Sequence, residues 1–536
     1  MKHTLGKYLV FTTLTLLLTS CGGTSDIIST PEDKIDKTPI KFSSLSDSEE
    51  KEWSHLDLVN DTIPGISLNK AYSELIKRKG KTVIVAIIDS GIDIDHEDLR
   101  QNVWVNEDEI PNNGKDDDNN GYIDDIHGWN FLGDANFTRF EYVRLLATGN
   151  TNHPRYAEAK SEYDGQVKKY TDLKSQYLKL LNDIDTSDKA ISKYLNKKEY
   201  TLQDINGIKT QNKSLQEHID NIKMAFSFGH ETIANLKAAL QRDINGFSDR
   251  LEYHLNLNFD GRKLVGDNPN DINDTNYGNN NVKPITQERS HGTHVSGIVA
   301  AKRNNGIGIN GVANNVKIMA IRNTPNGDEY DKDVALAIRY AVNNGAKVIN
   351  MSFGKYYSPH SEWVRDAIAY AGEHEVVIVT GAGNEGLNVD KFNNFPNDQI
   401  DNGPEVSNNF INVGATEYRY GSTLVADYSN FGKINVDVFA PGTQIYSTYP
   451  SNSYEFAKGT SMASPTVAGI AALLFSQYPN LTAAQVKQII MDSGTPINTK
   501  VVVGANNRVI EFKELSKSGK IVNAYNALLL ASKISK

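Results

Sequence analysis

The chain of 536 residues is 39% apolar and holds 66 acidic against 56 basic side chains, a formal net charge of −10. That length and apolar content allow two or three domains around a substantial core, while the negative balance and the lack of any Lys/Arg patch exclude a nucleic-acid partner. With a single cysteine, Cys21, no disulfide can form within the chain.

At the N-terminus, Lys2 and Lys7 precede an apolar run from Tyr8 to Leu18. At about eleven residues it is too short to cross a bilayer but suits the core of a signal peptide. Leu18-Thr19-Ser20-Cys21 resembles the lipobox of bacterial lipoproteins. The resemblance implies that residues 1–20 are removed and that a lipidated Cys21 holds an exported protein at a bacterial membrane, with the outer membrane or cell surface as the expected place. An ordinary signal peptide with an incidental cysteine is the plain alternative. Residues 21–52, polar and poor in apolar side chains, read as a flexible tether with no room for a folded inhibitory propeptide.

The domain begins near Trp53, and the first part of it runs to 136. Pro64-Gly65-Ile66-Ser67 reads as a turn into a helix at Leu68-Asn69-Lys70-Ala71-Tyr72. Val83–Ile88 is a continuous β-branched run, predicted to be a strand buried on both faces of a parallel sheet. It ends at Asp89, placed where open α/β sheets build their sites. Further on, Asp116, Asp118, Asn120 and Asp124 supply oxygens at positions one, three, five and nine of a loop, with Gly121 at six and the Tyr122 carbonyl at seven. That pattern matches a calcium loop, Ca2+ acting in stability rather than chemistry. The closing glutamate is missing, since His127 stands in its place, so another ligand such as Asp125 has to complete the shell. A solvated acidic turn is the other reading.

Residues 137–257 are rich in lysine, glutamine, asparagine and glutamate and read as helices. Tyr163, Val167, Tyr170, Tyr177, Leu181 and Ile184 form one apolar stripe; Leu215, Ile219, Ile222 and Phe226 form a second, and Ile233, Leu236, Leu240 and Ile244 a third. Two or three antiparallel helices packed on the surface explain the stripes; a lid or an arm that docks a protein partner explains them as well. From 258 to 536 the chain resumes the main domain. Asp267, Asp271 and Asp274 offer a second metal site or simple turn chemistry.

His291 opens the apolar helical run Val295–Ala301, with His294 one turn inside as a packed neutral imidazole. Strands are predicted at Lys317–Ile321, Lys347–Asn350, Val376–Thr380, Phe410–Ala415 and Asp437–Ala440. The fourth of the chain's strands empties into a glycine-rich loop with Asn384 at its tip, an amide donor suited to a developing negative charge. Finally, Gly459-Thr460-Ser461-Met462-Ala463-Ser464-Pro465 puts a hydroxyl at the start of the apolar helix Thr466–Phe475, with Pro465 expected in the first turn. Ser461 needs a base to attack a carbonyl, His291 is the candidate, and Asp89 can fix that histidine's tautomer.

Taken together, D-S-G-I-D at Asp89, H-G-T-H-V-S-G at His291, A-G-N-E-G at Asn384 and G-T-S-M-A-S-P at Ser461 resemble the subtilisin-like serine peptidases, in the same chain order. The resemblance covers about Trp53 to Leu530 outside 137–257, which would be an insertion, because relatives space the aspartate and histidine far more closely. It implies an α/β fold with a doubly wound, mostly parallel sheet and an inserted helical hairpin or arm. It also implies an Asp89-His291-Ser461 triad with Asn384 as oxyanion donor, a serine endopeptidase acting on protein or peptide substrates. Ser352, Phe353 and Gly354, after the Lys347–Asn350 strand, match the family segment that pairs with an extended substrate. The alternative is a catalytically silent lipoprotein of the same fold that docks a partner through its arm.

Overall fold

The computed structural model describes residues 41, 43–286 and 290–535. The signal peptide expected at 1–20, the Cys21 attachment point and most of the tether lie outside these residues.

The strands are β1 (Val83–Asp89), β2 (Gly128–Asn130), β3 (Val316–Arg322), β4 (Val348–Met351), β5 (Val377–Gly381), β6 (Phe410–Thr416), β7 (Val438–Pro441), β8 (Ile445–Tyr449), β9 (Ser453–Ala457), β10 (Thr495–Pro496), β11 (Lys500–Val503), β12 (Arg508–Glu511) and β13 (Lys520–Ile521). The main sheet runs β10-β13-β7-β6-β5-β4-β1-β3-β2. Its strands are parallel except at the edge, where β10 runs antiparallel to β13. Each predicted strand lies within one residue of an observed one.

The helices are α1 (Asp47–Glu52), α2 (Leu68–Glu74), α3 (Glu141–Ala147), α4 (Tyr156–Leu195), α5 (Leu202–Asn206), α6 (Lys213–Ser227), α7 (Ile233–Asp249), α8 (His291–Ala300), α9 (Asp331–Asn343), α10 (Ser361–Glu373), α11 (Thr460–Gln477), α12 (Ala483–Ser493) and α13 (Ala524–Ile534). They cover both faces of the sheet. Val83, Val85 and Ile87 of β1 point into a core shared with α2, α8, α11, α12 and α13, while Ala86 and Ile88 point into a second core shared with α9 and α10. Such two-sided burial is why the strands read as unbroken apolar runs rather than alternating ones. β1 has β3 on one side and β4 on the other, so the chain winds away from it in both directions. A crevice opens at the C-terminal end of a strand in that position, and Asp89 stands there.

Helices α3 to α7, with a short π-helical turn at Arg250–His254, form an arm between β2 and α8. α6 and α7 pack on the 40-residue α4. Ile184, Ile191, Ile219, Ile222, Leu236 and Leu240 fill a core belonging to the arm alone. The expected stripe on α4 divides in two: Tyr177, Leu181 and Ile184 face that core, whereas Tyr163, Val167 and Tyr170 pack near the body with Tyr142, Leu255 and Tyr357.

Candidate active site

Asp89 is 1% exposed, held at the end of β1, and its Oδ1 accepts the Ser90 backbone N–H at 2.7 Å. His291, the first residue of α8, places Nδ1 at 2.8 Å from Asp89 Oδ1 and 3.0 Å from Oδ2. A carboxylate on that nitrogen keeps the proton on Nδ1 and leaves Nε2 as an acceptor. Gly292 permits the approach, because a Cβ there would meet the Gly91 carbonyl oxygen at 2.4 Å and Asp89 Oδ1 at 3.2 Å. Desolvation pulls the His291 pKa down, but the charge and hydrogen bond of Asp89 outweigh it, so the imidazole titrates above its ordinary value. His294 behaves oppositely. Burial pushes its pKa down to about 4, and Nε2 meets the carbonyls of Ile445 and Glu455 at 3.1 Å each, a neutral packed imidazole.

Ser461 lies in the first turn of α11, whose N-cap Gly459 has φ +146. Pro465 is in the second turn rather than the first, since the helix begins at Thr460. A proline there has no N–H for the carbonyl four residues back, which is that of Ser461. The Ser352 hydroxyl supplies the missing donor at 2.9 Å. It also accepts from Asn350 Nδ2 at 2.9 Å and meets Ser464 Oγ at 2.8 Å. The Ser352 side chain is therefore turned inward, under Ser461, and only its carbonyl faces the site, accepting from Ser461 Oγ at 3.1 Å. Of the three residues expected to contact substrate, Phe353 packs partly against the α9–α10 core and Gly354 is exposed opposite Asn394.

Asn384 Oδ1 accepts from the Thr460 N–H at 2.8 Å and from its hydroxyl at 3.1 Å. With the oxygen so engaged, Nδ2 remains as the donor. A Cβ placed on Gly459 would lie 3.6 Å from both the Ser461 N and Asn384 Oδ1 and 3.7 Å from Asn384 Nδ2, so the Asn384 amide and the Ser461 N–H border one small space. Two such donors beside a hydroxyl are the geometry that stabilises an oxyanion. The space opens into a recess of about 70 Å3 lined by Ser352, Phe353, Gly354, Tyr356, Gly383, Asn384, Glu385, Asn394 and Ser461.

Sequence reasoning missed the groups that hold this loop. Buried Asn430 donates Nδ2 to the Ala382 carbonyl at 2.8 Å and accepts the N–H groups of Glu385 and Leu387 at 3.2 and 2.8 Å. Nothing around Tyr428-Ser429-Asn430-Phe431 marks it, because the contact is made 45 positions away.

The acidic loop differs from the calcium loop expected of it. Asp116 caps the backbone N–H groups of Asn120 and Gly121, and Asp124 caps those of Asn113 and Gly114, while the ring of Tyr122, the residue whose carbonyl is the expected ligand, packs against Trp129 and Tyr340. Asn120 donates to Asp118 and Asp125. The carboxylates that converge are those of Asp118, Glu109 and Asp125, with oxygens within 4.8 Å of one another. Short sequence spacing favoured local Asx turns over convergence, and Glu109 comes from before the loop. Burial pushes the carboxyls of Glu109 and Asp125 up, with neighbouring acids adding to it. Hard oxygen donors in that state fit a divalent cation such as Ca2+. Asp267 is instead buried between Arg262 and Lys332, both within 2.6 Å, which rules it out as a free metal ligand.

A model of the subtilase family matches residues 80–509. The chain is similar to a protein named "Thermophilic serine proteinase" from Bacillus sp. (strain AK1), 44% identical over 192 residues, covering 36% of this chain and 44% of that protein. It is similar to Subtilisin DY of Bacillus licheniformis, 38% identical over 221 residues, 41% of this chain and 75% of that one. Thermitase of Thermoactinomyces vulgaris is 38% identical over 224 residues, 42% and 74% respectively. The matched part thus spans less than half of the first relative and about three quarters of the other two.

Proposed function

This chain belongs to the subtilase family, and we propose that it is a serine endopeptidase that hydrolyses peptide bonds in proteins and peptides through an acyl-enzyme on Ser461. The observation that carries this reading is the convergence of two donors, Asn384 Nδ2 and the Ser461 N–H, beside a hydroxyl, together with an imidazole already paired to a buried carboxylate. At rest the Ser461 hydroxyl donates to the Ser352 carbonyl. Rotation about its Cα–Cβ bond brings the proton to His291 Nε2 as Oγ bonds to the scissile carbonyl carbon. The carbonyl oxygen takes the negative charge, received by Asn384 and the Ser461 N–H, and Asp89 stabilises the imidazolium. His291 then gives the proton to the departing amine, and water repeats the sequence to release the acid. Labelling with a fluorophosphonate tests this: wild type reacts at Ser461, and Ser461→Ala neither reacts nor cleaves casein. Casein cleavage by Ser461→Ala at the wild-type rate would falsify the assignment.

Glu109, Asp118 and Asp125 are the residues that would hold a structural Ca2+, cross-linking acidic segments that otherwise repel one another. A lipid on Cys21 would keep the exported enzyme at a bacterial membrane; incorporation of labelled palmitate, lost in Cys21→Ser, tests that reading. Among the described residues no helix is long and apolar enough to cross a membrane.

A further inference from the structure

The arm meets the catalytic body directly behind the recess. Lys355, the residue after Gly354, is 2% exposed in its side chain, and its Nζ lies 2.8 Å from Glu141 of α3, 2.9 Å from Asp331 and 2.8 Å from the Glu329 carbonyl. Glu141 is gripped again by Arg144, through Nε at 3.0 Å and a second bond from Nη2. One residue on, the Tyr356 carbonyl accepts from Arg155, the N-cap of α4, at 2.7 Å, and the same guanidinium lies 3.6 Å over the Tyr357 ring. These three body residues form the continuation of the strand expected to pair with substrate.

The contact continues across the recess. The Tyr356 hydroxyl donates to Glu385 Oε2, and that oxygen also accepts the Asn384 backbone N–H at 2.8 Å. Asn430 Nδ2 reaches the same hydroxyl at 3.2 Å and Glu385 Oε2 at 3.3 Å. Burial, then the Glu385 charge, raises the Tyr356 pKa, so the phenol stays a donor at working pH. On the other wall, Lys355 and Phe395 exchange backbone hydrogen bonds at 2.9 and 2.8 Å, bringing Asn394 beside Gly354. If α3 were only a cover, apolar side chains would serve it better, because each buried charge carries a desolvation cost. What ionic and bidentate contacts supply instead is direction and a fixed distance.

We propose that α3 and the start of α4 are a positioning element of the active site: Glu141 and Arg155 hold Lys355 and Tyr356, and Tyr356 carries that hold through Glu385 to the Asn384 backbone. The arm thereby sets the gap between the strand that pairs with substrate and the loop that receives the oxyanion. Arg155, Glu141, Lys355 and Tyr356 are positioning residues, and the proposal rests on the peptidase reading of Ser461.

The full-length protein serves for the test, with an extended chromogenic peptide, p-nitrophenyl acetate and a small fluorophosphonate as probes. Glu141→Gln risks unfolding by leaving Lys355 and Arg144 short of charge, so Arg155→Ala, at a half-exposed position, is the main variant. It is expected to raise the peptide KM about fivefold and, because the hold reaches Asn384, to lower peptide kcat and the labelling rate about threefold. Arg155→Lys recovers part of the KM. Tyr356→Phe removes the link between the strand and Glu385, leaving only the Asn384 and Asn430 bonds to that carboxylate, and lowers kcat about tenfold on both peptide and ester. In the double variant the loss in peptide kcat/KM falls short of the product of the single losses by about threefold or more, since both changes break one chain of contacts. Lys168→Ala, at an exposed position further along α4, matches wild type throughout. Multiplicative losses in the double variant, or a fall in melting temperature with wild-type peptide kinetics, would overturn the proposal. Failure of the wild type itself to label would overturn the peptidase reading, and the proposal with it.

Discussion

Ser352→Ala removes one hydroxyl and leaves two partners behind, one buried and one half-buried. The Ser461 carbonyl, opened by Pro465, loses its donor, and Asn350 Nδ2 loses its acceptor; Asn350 and Ser464 are 0% exposed and Ser352 4%. A buried polar group without a partner costs about 1–3 kcal/mol, so the buried Asn350 amide with a smaller term from the half-buried Ser461 carbonyl puts the expected destabilisation at about 2–4 kcal/mol, with Ser464 able to recover a fraction by rotating its own hydroxyl. The comparison is Ser464→Ala, which leaves the bond to the Ser461 carbonyl in place and is expected to cost about 1 kcal/mol. Urea denaturation should be followed in a Ser461→Ala background, where self-cleavage cannot blur the transition. In the active background Ser352→Ala should also slow turnover, because the first turn of α11 carries both the hydroxyl and the N–H of Ser461, which the proposed mechanism uses as nucleophile and oxyanion donor. A destabilisation equal to that of Ser464→Ala would refute the reasoning, showing that the Ser461 carbonyl does not depend on Ser352.

Because Asp89 favours the imidazolium and the base must be neutral to act, kcat/KM should rise with pH around a midpoint above the ordinary histidine value of 6.5. Asp89→Asn should lower that midpoint and cut kcat by about 10⁴-fold, as expected when the tautomer is no longer fixed; an unchanged pH profile would sink the pairing. Glu141 is held down to about 2 by Arg144 and Lys355 despite its burial. Its folded pKa is depressed, so its contribution is complete above the ordinary 4.5 and is lost as pH falls toward 2; Glu141→Gln should flatten this part of an acid-denaturation curve. Chelation with EDTA should lower the melting temperature, and Glu109→Gln with Asp125→Asn should abolish the response while raising the melting temperature of the metal-free protein, because two repelling charges are gone. Should the double variant still respond to calcium, the ion is held elsewhere.

The main strands of the sheet were legible as apolar runs because burial on both faces removes alternation, and Asp89, His291, Asn384 and Ser461 were legible because each ends a strand, follows one in a glycine-rich loop, or stands in the first turn of a helix. Those are local signals, carried by a few adjacent residues. What the Ser352 side chain does, and that Glu109 joins Asp118 and Asp125, are not legible for the same reason: the chain near Ser352 does not contain Pro465, and the loop does not contain Glu109. Asn430, Tyr356 and Arg155 gave no local signal at all, since each acts on a segment distant in sequence.

By itself the sequence determined which groups can do chemistry here and on which elements they stand, because strand burial, helix starts and the Ser-His-Asp set are written in short stretches. Only the tertiary structure decided what surrounds them: that a hydroxyl from one strand replaces the hydrogen bond a helix proline forgoes, that three carboxylates from two sides of a loop converge, and that an arm anchors the wall of the recess. Those contacts join residues far apart in the chain, and hydrogen bonds and ion pairs of that kind leave no periodicity to read.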